Sequence, residues 1–409
     1  MFKMTRPMLT ACAVALCLSF GLAQGAAAED KVSRALEKPL KACNDAFQAK
    51  KFDEAIAACK QGEELPNRSE YDNFVINQLM GSSYVQTKRY PEAYPRLKAV
   101  VESPHVAAAA KAGLLGALAS IAFQQKDYAA SVDWAEKAIA AGYDTADQRF
   151  LIASSYYLQN KFKDCDTATT EFVSREEKAG RRPTENSLKL LVQCQLQANN
   201  TAGQSRTFEK LVTYYPKPEY WQNAMLTLVN NAKSDERLKL QVFRLQEEVG
   251  TLKRADQYSE MVQLSMDQGL PAEALRIIDQ GMQKNIFTDE RVKAQFGRYQ
   301  QSGQKALQNE KENLPKAEHE ADRTGNGDLL VGVGTSYLFN ANEPNKAIQL
   351  IQTGISKGLQ KVPLNDAYIT LGLAYLKVKN NAEALKAFDK VDKNENYERL
   401  AKLWTLRAH

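Results

Sequence analysis

Apolar residues near the end of the sequence recur at steps of three and four residues, with small residues at two fixed places. The pattern comprises Tyr368, Leu371, Gly372, Tyr375, Ala384 and Phe388. Such steps place side chains on one face of an α-helix, and the polar segment 378–381 separates the two halves of the pattern. The sequence therefore predicts two antiparallel helices that approach closely, because Gly372 and Ala384 carry little or no side chain.

The same pattern repeats through the N-terminal half of the chain. An aromatic residue followed three positions later by a small one occurs at Phe52/Ala55, Tyr90/Ala93, Tyr128/Ser131 and Phe162/Cys165, with steps of 38, 38 and 34 residues. A second series of small residues, one for each expected first helix, keeps this register at Cys43, Gly81, Ala119 and Ala153. A 34-residue period, lengthened in places by about one helical turn, indicates stacked helical hairpins.

The spacing of the pattern over residues 368–388 resembles the tetratricopeptide repeat. The resemblance implies an all-α, tetratricopeptide-like α-solenoid, and we count about ten helical hairpins after a cleaved signal peptide. The expected organisation is a signal peptide (1–28), an N-terminal superhelical array (29–325, degenerate in 187–254 and 288–325) and a C-terminal pair of repeats (326–409). We place the last boundary at the glycine-rich segment 324–328.

The first 28 residues form a segment apart from the repeats. Lys3 and Arg6 precede an uncharged apolar stretch, 8–23, and small residues precede Glu29. This order is typical of a secretory signal peptide. The apolar stretch is shorter than the roughly 20 residues that a spanning helix needs, so an uncleaved anchor is the weaker interpretation. We expect a periplasmic protein without stable membrane insertion.

Four cysteines follow the predicted signal peptide, and export favours their pairing. Cys43 and Cys59 flank the expected turn at residues 50–51, which places them level across an antiparallel hairpin. Cys165 lies at the small position of a second helix, and Cys194 lies in the next helix. We predict the disulfides Cys43–Cys59 and Cys165–Cys194; the alternative for the second pair is two buried small apolar residues.

Charge and motif content favour binding over catalysis. The formal net charge is +5, and removal of the two cations in residues 1–28 leaves +3, which gives no reason to expect nucleic acid or an anionic membrane as a partner. The three histidines, His105, His319 and His409, lack metal-ligand spacing, and no nucleophile or phosphate-loop motif is present. We interpret carboxylates such as Glu247-Glu248 as solvated helix surface. The sequence predicts no enzyme activity, no metal and no cofactor.

The first helices of stacked hairpins line a concave groove that binds peptides or partner helices. Residues of those helices outside the packing stripe are therefore candidates for contact with a partner. The candidates are Gln78, Ser82, Val85, Gln263, Met266, Thr335, Leu338, Ile369, Leu373 and Leu376. The apolar members can equally pack against a neighbouring hairpin.

A more specific resemblance begins at Tyr215-Pro216-Lys217-Pro218-Glu219-Tyr220-Trp221. With the turn at residues 269–271 and the Gly354-Ile355 step, this segment resembles periplasmic tetratricopeptide proteins associated with TonB–ExbB–ExbD systems. The resemblance covers residues 205–400 and implies a soluble, non-catalytic accessory of TonB-dependent energy transduction or transport. The same segment also fits an ordinary helix start.

Two alternatives to the TonB-associated role remain open. The first is an envelope-assembly or cell-division scaffold that acts with outer-membrane or peptidoglycan factors. The second is a small-ligand-binding or enzymatic protein with an unrecognised site. For either scaffold, the expected partners are other periplasmic or envelope proteins.

Overall fold

The computed structural model describes residues 31–232 and 234–409, and these residues form helices and connecting loops without a strand. The predicted all-α fold of tetratricopeptide-like hairpins is therefore confirmed. The predicted signal peptide lies outside the described residues. The chain divides into two compact units, of which the first ends at Thr201 and the second runs from Ala202 to His409.

The described part of the first unit contains nine helices. They are α1 (Glu37–Gln48), α2 (Phe52–Glu63), α3 (Glu70–Gln86), α4 (Tyr90–Glu102), α5 (Ala108–Gln124), α6 (Tyr128–Ala140), α7 (Ala146–Leu158), α8 (Phe162–Lys178) and α9 (Glu185–Gln197). Helices α1 to α8 form four antiparallel hairpins, each packed on the next, and α9 packs on α8 and α7. This order is the stack that the repeat spacing predicts.

The small residues of the repeat lie where paired helices meet. Cys43, Ala119 and Ala153 in first helices are fully buried, and so are their counterparts in second helices, Ala55, Ala93, Ser131 and Cys165. At Gly81, an added Cβ would lie 2.9 Å from Cδ2 of Leu97. A larger side chain at these positions would separate the helices, which is the physical reason for the small-residue period.

The carboxylate of Asp72 in α3 binds the segment that precedes α1. Asp72 is fully buried and accepts hydrogen bonds from the backbone N–H and the hydroxyl of Ser33, at 2.8 and 2.5 Å. It also accepts the N–H of Ser69 at 2.9 Å, which completes a capping box at the start of α3. Burial acts to raise the pKa of Asp72, but the hydrogen bonds from Ser33 and Ser69 lower it below its ordinary value.

The second unit contains most of α10 and ten further helices. They are α10 (Thr201–Tyr214), α11 (Pro218–Ala232), α12 (Glu236–Glu248), α13 (Ala255–Asp267), α14 (Pro271–Gln283), α15 (Glu290–Thr324), α16 (Gly327–Phe339), α17 (Pro344–Lys357), α18 (Leu364–Lys377), α19 (Asn381–Asp389) and α20 (Glu395–Ala408). Four antiparallel hairpins, α11/α12, α13/α14, α16/α17 and α18/α19, account for eight of them.

The structure corrects the assignment of residues 288–325 to a degenerate repeat. Residues Glu290–Thr324 form one continuous helix of 35 residues instead of a hairpin. Asp289 caps its start by accepting the N–H groups of Arg291 and Val292, and Gly325, with a φ of 60°, ends it. The helix continues through Pro315, so no turn divides the segment. The boundary predicted at 325/326 is the turn between α15 and α16, inside the second unit.

The last helices of the second unit pack back against its first helices. Helix α20 contacts α11 and α12, and α18 also contacts α12. Arg399 of α20 donates to the Glu209 carboxylate and, at 3.4 Å, to Thr227, and both charged side chains are buried. Asp366 of α18 accepts from Gln241 of α12 at 2.8 Å. We call these five residues the closing seam of the second unit.

Alanine substitutions at two glycines of α16 test whether α16 and α17 approach closely. A Cβ at Gly334 would lie 2.7 Å from Cγ1 of Ile351, whereas Gly332 is exposed and has no atom within 4 Å of the added Cβ. We expect Gly334→Ala to destabilise the unit by about 1–3 kcal/mol through overpacking. Gly332→Ala should stabilise it by about 0.5–1 kcal/mol through helix propensity. Urea unfolding of both variants measures these changes, and equal effects would contradict the close approach.

Candidate functional site

A cavity of about 940 Å³ opens within the second unit. Side chains from α12, α14, α16, α18, α19 and α20 line it, together with the loop after α16 and His409. Because α18 and α20 return to α12, the cavity is lined by helices that lie far apart in sequence and remains open to solvent on one side. Its volume lies in the range of about 300–1,000 Å³ that is usual for ligand pockets.

One wall of the cavity is apolar. It is formed by Leu338 and Phe339 at the end of α16, Leu373 and Leu376 of α18, and Trp404 of α20. Leu338, Leu373 and Trp404 are buried, whereas Phe339 and Leu376 are half-buried. Three- and four-residue helical spacing places Leu373 and Leu376 on one face of α18. Phe339 and Leu376 are therefore the members of this wall that expose apolar surface to the cavity.

The charged part of the lining contains a buried ion pair between α12 and α14. Arg244 donates from Nε and Nη2 to the two carboxylate oxygens of Glu273, at 2.9 and 2.8 Å. The two side chains are 6% and 1% exposed. The Arg244 guanidinium also lies over the ring of Phe339, 3.8 Å from its centroid, which joins the charged wall to the apolar wall. A bidentate pair of this kind holds both charges in fixed positions.

Two further ion pairs lie nearer the solvent. Arg276 of α14 donates to both carboxylate oxygens of Glu247, and Gln280 adds a hydrogen bond of 3.2 Å to the same carboxylate. Desolvation acts to lower the pKa of Arg276, but the hydrogen bonds and the charge of Glu247 raise it above its ordinary value. Arg407 of α20 donates to Glu248 of α12 at 2.7 Å. Every carboxylate on this wall therefore has an arginine partner.

Lys377, the last residue of α18, differs from the other cations at the cavity. Among the cationic side chains that the structure describes there, Arg244, Arg276 and Arg407 have carboxylate partners. Lys377 is exposed and has no acidic partner. It lies one helical turn after Leu373, so α18 presents an apolar side chain and then a cation to the same space. The ionic side chains lining the cavity carry one excess positive charge.

Three of the ten predicted groove residues come together here, namely Leu338, Leu373 and Leu376. The remaining candidates of the second unit do not line the cavity. Ile369 is fully buried in α18, and the Thr335 hydroxyl donates to the carbonyl of Val331 at 2.8 Å. Gln263 accepts from the hydroxyl of Tyr299 at 3.3 Å, and Met266 is half-buried against the core. Full burial thus favours a packing role for Ile369.

The other three predicted groove residues lie on α3 of the first unit. Gln78 and Val85 are half-buried, and Ser82 is buried. The predicted residues therefore form two separate sets, one in each unit. A role of the α3 set in partner binding stays a prediction.

The structure pairs the cysteines in the predicted combination. Cys43 and Cys59 join α1 to α2 with a Cα–Cα distance of 5.2 Å, and Cys165 and Cys194 join α8 to α9 with a Cα–Cα distance of 5.6 Å. All four residues are fully buried. Both distances lie in the usual range for disulfides, about 4.4–6.8 Å. Each pair links two helices of the first unit.

The charged wall was not predicted from the sequence. Glu247 and Glu248 were interpreted as solvated surface; Glu248 is exposed and Glu247 is half-buried, and they line the cavity and pair with Arg407 and Arg276, respectively. A sequence signal does exist, because Arg244, Glu247 and Glu248 follow helical three- and four-residue steps on one face of α12. That signal does not indicate which face meets α14 and α20.

The segment 215–221, which carries the TonB-type resemblance, comprises the loop after α10 and the first turn of α11. Within it, Tyr220 is fully buried and Trp221 is 8% exposed. In the described residues we find no group of three or more histidine, cysteine, aspartate or glutamate side chains that could hold a metal ion. Nor does any described helix combine the length and apolar character needed to cross a membrane.

Comparison with known families identifies one repeat directly. Residues 366–396 match the tetratricopeptide repeat family, and they include most of α18 and all of α19. The chain therefore contains a tetratricopeptide repeat at the position where the sequence pattern is clearest. No curated protein matches the sequence.

Several solved helical-repeat structures are similar to this chain. The Naa15/Naa10 complex bound to HypK-THB matches over 87% of this chain and 63% of its own, with 12% identity and a TM-score of 0.40. A tetratricopeptide repeat protein from Parabacteroides merdae matches over 84% and 99%, with 10% identity and a TM-score of 0.35. The C-terminal part of a Cytophaga hutchinsonii protein with these repeats matches over 66% and 98%, with 14% identity and a TM-score of 0.37.

These structural likenesses are distant. The present chain spans less than two thirds of the Naa15/Naa10 chain that it matches. At such identities and TM-scores, the matches carry no argument about function.

Proposed function

We propose that the protein is a non-catalytic scaffold that binds partner proteins, and that the cavity of the second unit is one binding site. The observation that carries the proposal is the convergence of Leu338, Leu373 and Leu376 in one cavity whose lining also contains three arginine–glutamate ion pairs. Solenoid repeats use such recessed faces to bind peptides and helices. An apolar wall supplies binding free energy, and fixed polar groups orient the bound segment.

The charges at the cavity favour recognition over catalysis. Glu273, Glu247 and Glu248 each bind an arginine, so none is arranged as an unpaired general acid or base. The bidentate Arg244–Glu273 pair is rigid and buried. Such a wall can position a bound segment without taking part in a reaction.

A matched pair of substitutions on α18 tests the proposal. Leu376 is half-buried in the cavity wall, whereas Leu364, at the start of the same helix, is 44% exposed and outside the cavity. We expect Leu376→Asp to reduce co-purification of bound proteins at least tenfold, and Leu364→Asp to leave it unchanged. Thermal unfolding verifies that both variants are folded. Equal recovery of the same proteins with both variants would reject the cavity as the binding site.

We further propose that the scaffold acts in the periplasm as an accessory of a TonB-dependent energy-transduction or transport system. The signal-like residues 1–28 and the two cysteine pairs support export. The resemblance of the segment 215–221 and the repeats after it supports the TonB association. Cell fractionation tests the location, and recovery of the protein in the cytoplasmic fraction would overturn it.

Co-purification from intact cells tests the TonB association. The expected result is enrichment of TonB, ExbB or ExbD with the wild-type protein and their loss with Leu376→Asp. Enrichment of peptidoglycan-linked or outer-membrane assembly factors instead would overturn the TonB role in favour of an envelope-assembly or division scaffold.

A further inference from the structure

We propose that a groove between α19 and α20 is a self-association surface, on which a second copy of this chain docks across a two-fold axis. The α19/α20 groove has a volume of about 540 Å³ and, apart from His409, shares no lining residue with the large cavity. Trp404 of α20 lines the cavity, whereas Glu398 and Lys402 line the groove, so the two sites use different sides of this helix. The inference goes beyond the proposed function and does not depend on it.

The lining of the α19/α20 groove includes apolar side chains from both helices and from the loop between them. Phe388, Val391 and Ala401 are buried, and Leu385 and Thr405 are half-buried. A chain that docks in the groove removes the remaining apolar surface of these residues from water, which stabilises the association.

Helices α19 and α20 run antiparallel beside the groove. Asn381, at the start of α19, donates from Nδ2 to the carbonyl of Ala408, at the end of α20, with a distance of 2.7 Å. Asp389, the last residue of α19, therefore lies nearer the start of α20 than Lys386 does, by about one helical turn.

The ionic side chains of the groove are divided by sign along its length. On α20, Glu398 precedes Lys402 by about one helical turn. On α19, Asp389 lies toward the end of the groove that contains Glu398, and Lys386 lies toward the other end. One end of the groove is thus acidic and the other is basic. His409, with its terminal carboxylate, lies about two further turns beyond Lys402.

Three of these charges are available to a second chain. Lys386 binds Glu383 at 2.6 Å. Within the part of the chain that the structure describes, Asp389, Glu398 and Lys402 are exposed and have no ion-pair partner. A docked segment of uniform charge would be attracted at one end of the groove and repelled at the other. A second copy turned by a two-fold axis instead brings an acidic end against a basic end twice, so the surface is complementary to itself.

The geometry of the proposed dimer follows from the positions of two residues. A two-fold axis that crosses the groove between Glu398 and Lys402 places each of these side chains opposite the other one in the second copy. Because each copy contributes only two short helices, the interface is expected to bury less than about 1,200 Å². We therefore expect a reversible dimer with a Kd on the order of 10 µM.

Sedimentation velocity at protein concentrations from about 1 to 100 µM tests the proposal. The wild-type protein should pass from monomer to dimer without larger species. Lys402→Glu and Glu398→Lys should each weaken the dimer about tenfold or more, because like charges then face each other. Lys305→Glu is the matched control for net charge, because Lys305 is exposed on α15 and outside the groove; it should dimerise like the wild type.

An equimolar mixture of the Lys402→Glu and Glu398→Lys variants tests the two-fold pairing itself. In the mixed dimer, opposite charges face each other again, so we expect an affinity within about threefold of the wild-type value. Thermal unfolding verifies that both variants are folded.

Four results would overturn the proposal. The first is a wild-type protein that stays monomeric up to about 100 µM. The second is a dimer that both charge reversals leave intact, since it would use another face of the molecule. The third is a series of species larger than the dimer that grow with concentration, since they indicate a head-to-tail contact. The fourth is a mixture of the two variants that dimerises no better than either variant alone.

Discussion

Replacement of Arg399 by alanine is expected to destabilise the second unit by about 3–5 kcal/mol. Arg399 is the partner of Glu209 across the closing seam, and the two side chains are 7% and 4% exposed. Without the guanidinium, the Glu209 carboxylate would remain buried without a compensating charge. The loss of one partner of a buried pair therefore costs far more than the pair itself contributes. Urea unfolding followed by tryptophan fluorescence measures the change.

Two controls identify the cause of this effect. Arg407→Ala removes an ion pair whose side chains are both 48% exposed, so its expected cost is only about 0–1 kcal/mol. The double variant Arg399→Met with Glu209→Leu removes both buried charges and should recover most of the stability. An Arg399→Ala effect no larger than that of Arg407→Ala would show that the seam is not buried as described.

Loss of the Cys165–Cys194 disulfide is expected to destabilise the first unit by about 3–4 kcal/mol, and loss of Cys43–Cys59 by about 3 kcal/mol. The cross-links close loops with sequence separations of 29 and 16 residues, and the chain-entropy model assigns the larger stabilisation to the longer loop. The measurement is urea unfolding of the variants in which both cysteines of a pair are replaced by alanine.

Reduction provides an independent control for the disulfide prediction. Wild-type protein in excess reductant should unfold at a urea concentration close to that of the variant without both disulfides. Cys194 is the last cysteine of the sequence, so the second unit contains none. The urea concentration at which the second unit unfolds should therefore not change. A wild-type protein that is insensitive to reductant, with four free thiols by mass spectrometry after alkylation, would show that the cysteines are not paired.

The hairpins could be predicted from the sequence because their determinants are local. Gly372 and Phe388 lie 16 positions apart, and a Cβ at Gly372 would lie 2.2 Å from Cε1 of Phe388. One repeat therefore contains both the small residue and the large residue that packs on it. Ala119 and Ser131 also lie within one hairpin, and the Ser131 hydroxyl donates to the Ala119 carbonyl at 2.9 Å.

Helix α15 shows the limit of the repeat argument. The period predicted a hairpin over residues 288–325, but a weak copy without signature residues is equally compatible with one long helix. A hairpin requires a turn within the segment, whereas a single helix does not. The first glycine after Asp289 with a left-handed backbone conformation is Gly325, which ends the helix. Pro315 does not end the helix, although proline in a helix interior costs about 3 kcal/mol.

The closing seam and the cavity could not be predicted from local patterns. Glu209 and Arg399 are 190 residues apart, and Gln241 and Asp366 are 125 residues apart. Each residue alone is compatible with a solvated helix surface, and only the return of α18 and α20 to α12 buries them. For the same reason, the leucines of the apolar wall were predicted as groove residues, whereas the ion pairs of the same cavity were not predicted.

Photo-crosslinking in intact cells tests the central claim, that the cavity of the second unit binds a partner protein. A photoreactive phenylalanine analogue would replace Leu376 in the cavity wall and, separately, Leu364 on the exposed start of the same helix. We expect a discrete protein adduct from position 376, and an adduct at least tenfold weaker from position 364. Equal adducts from both positions, or adducts from position 364 alone, would contradict it.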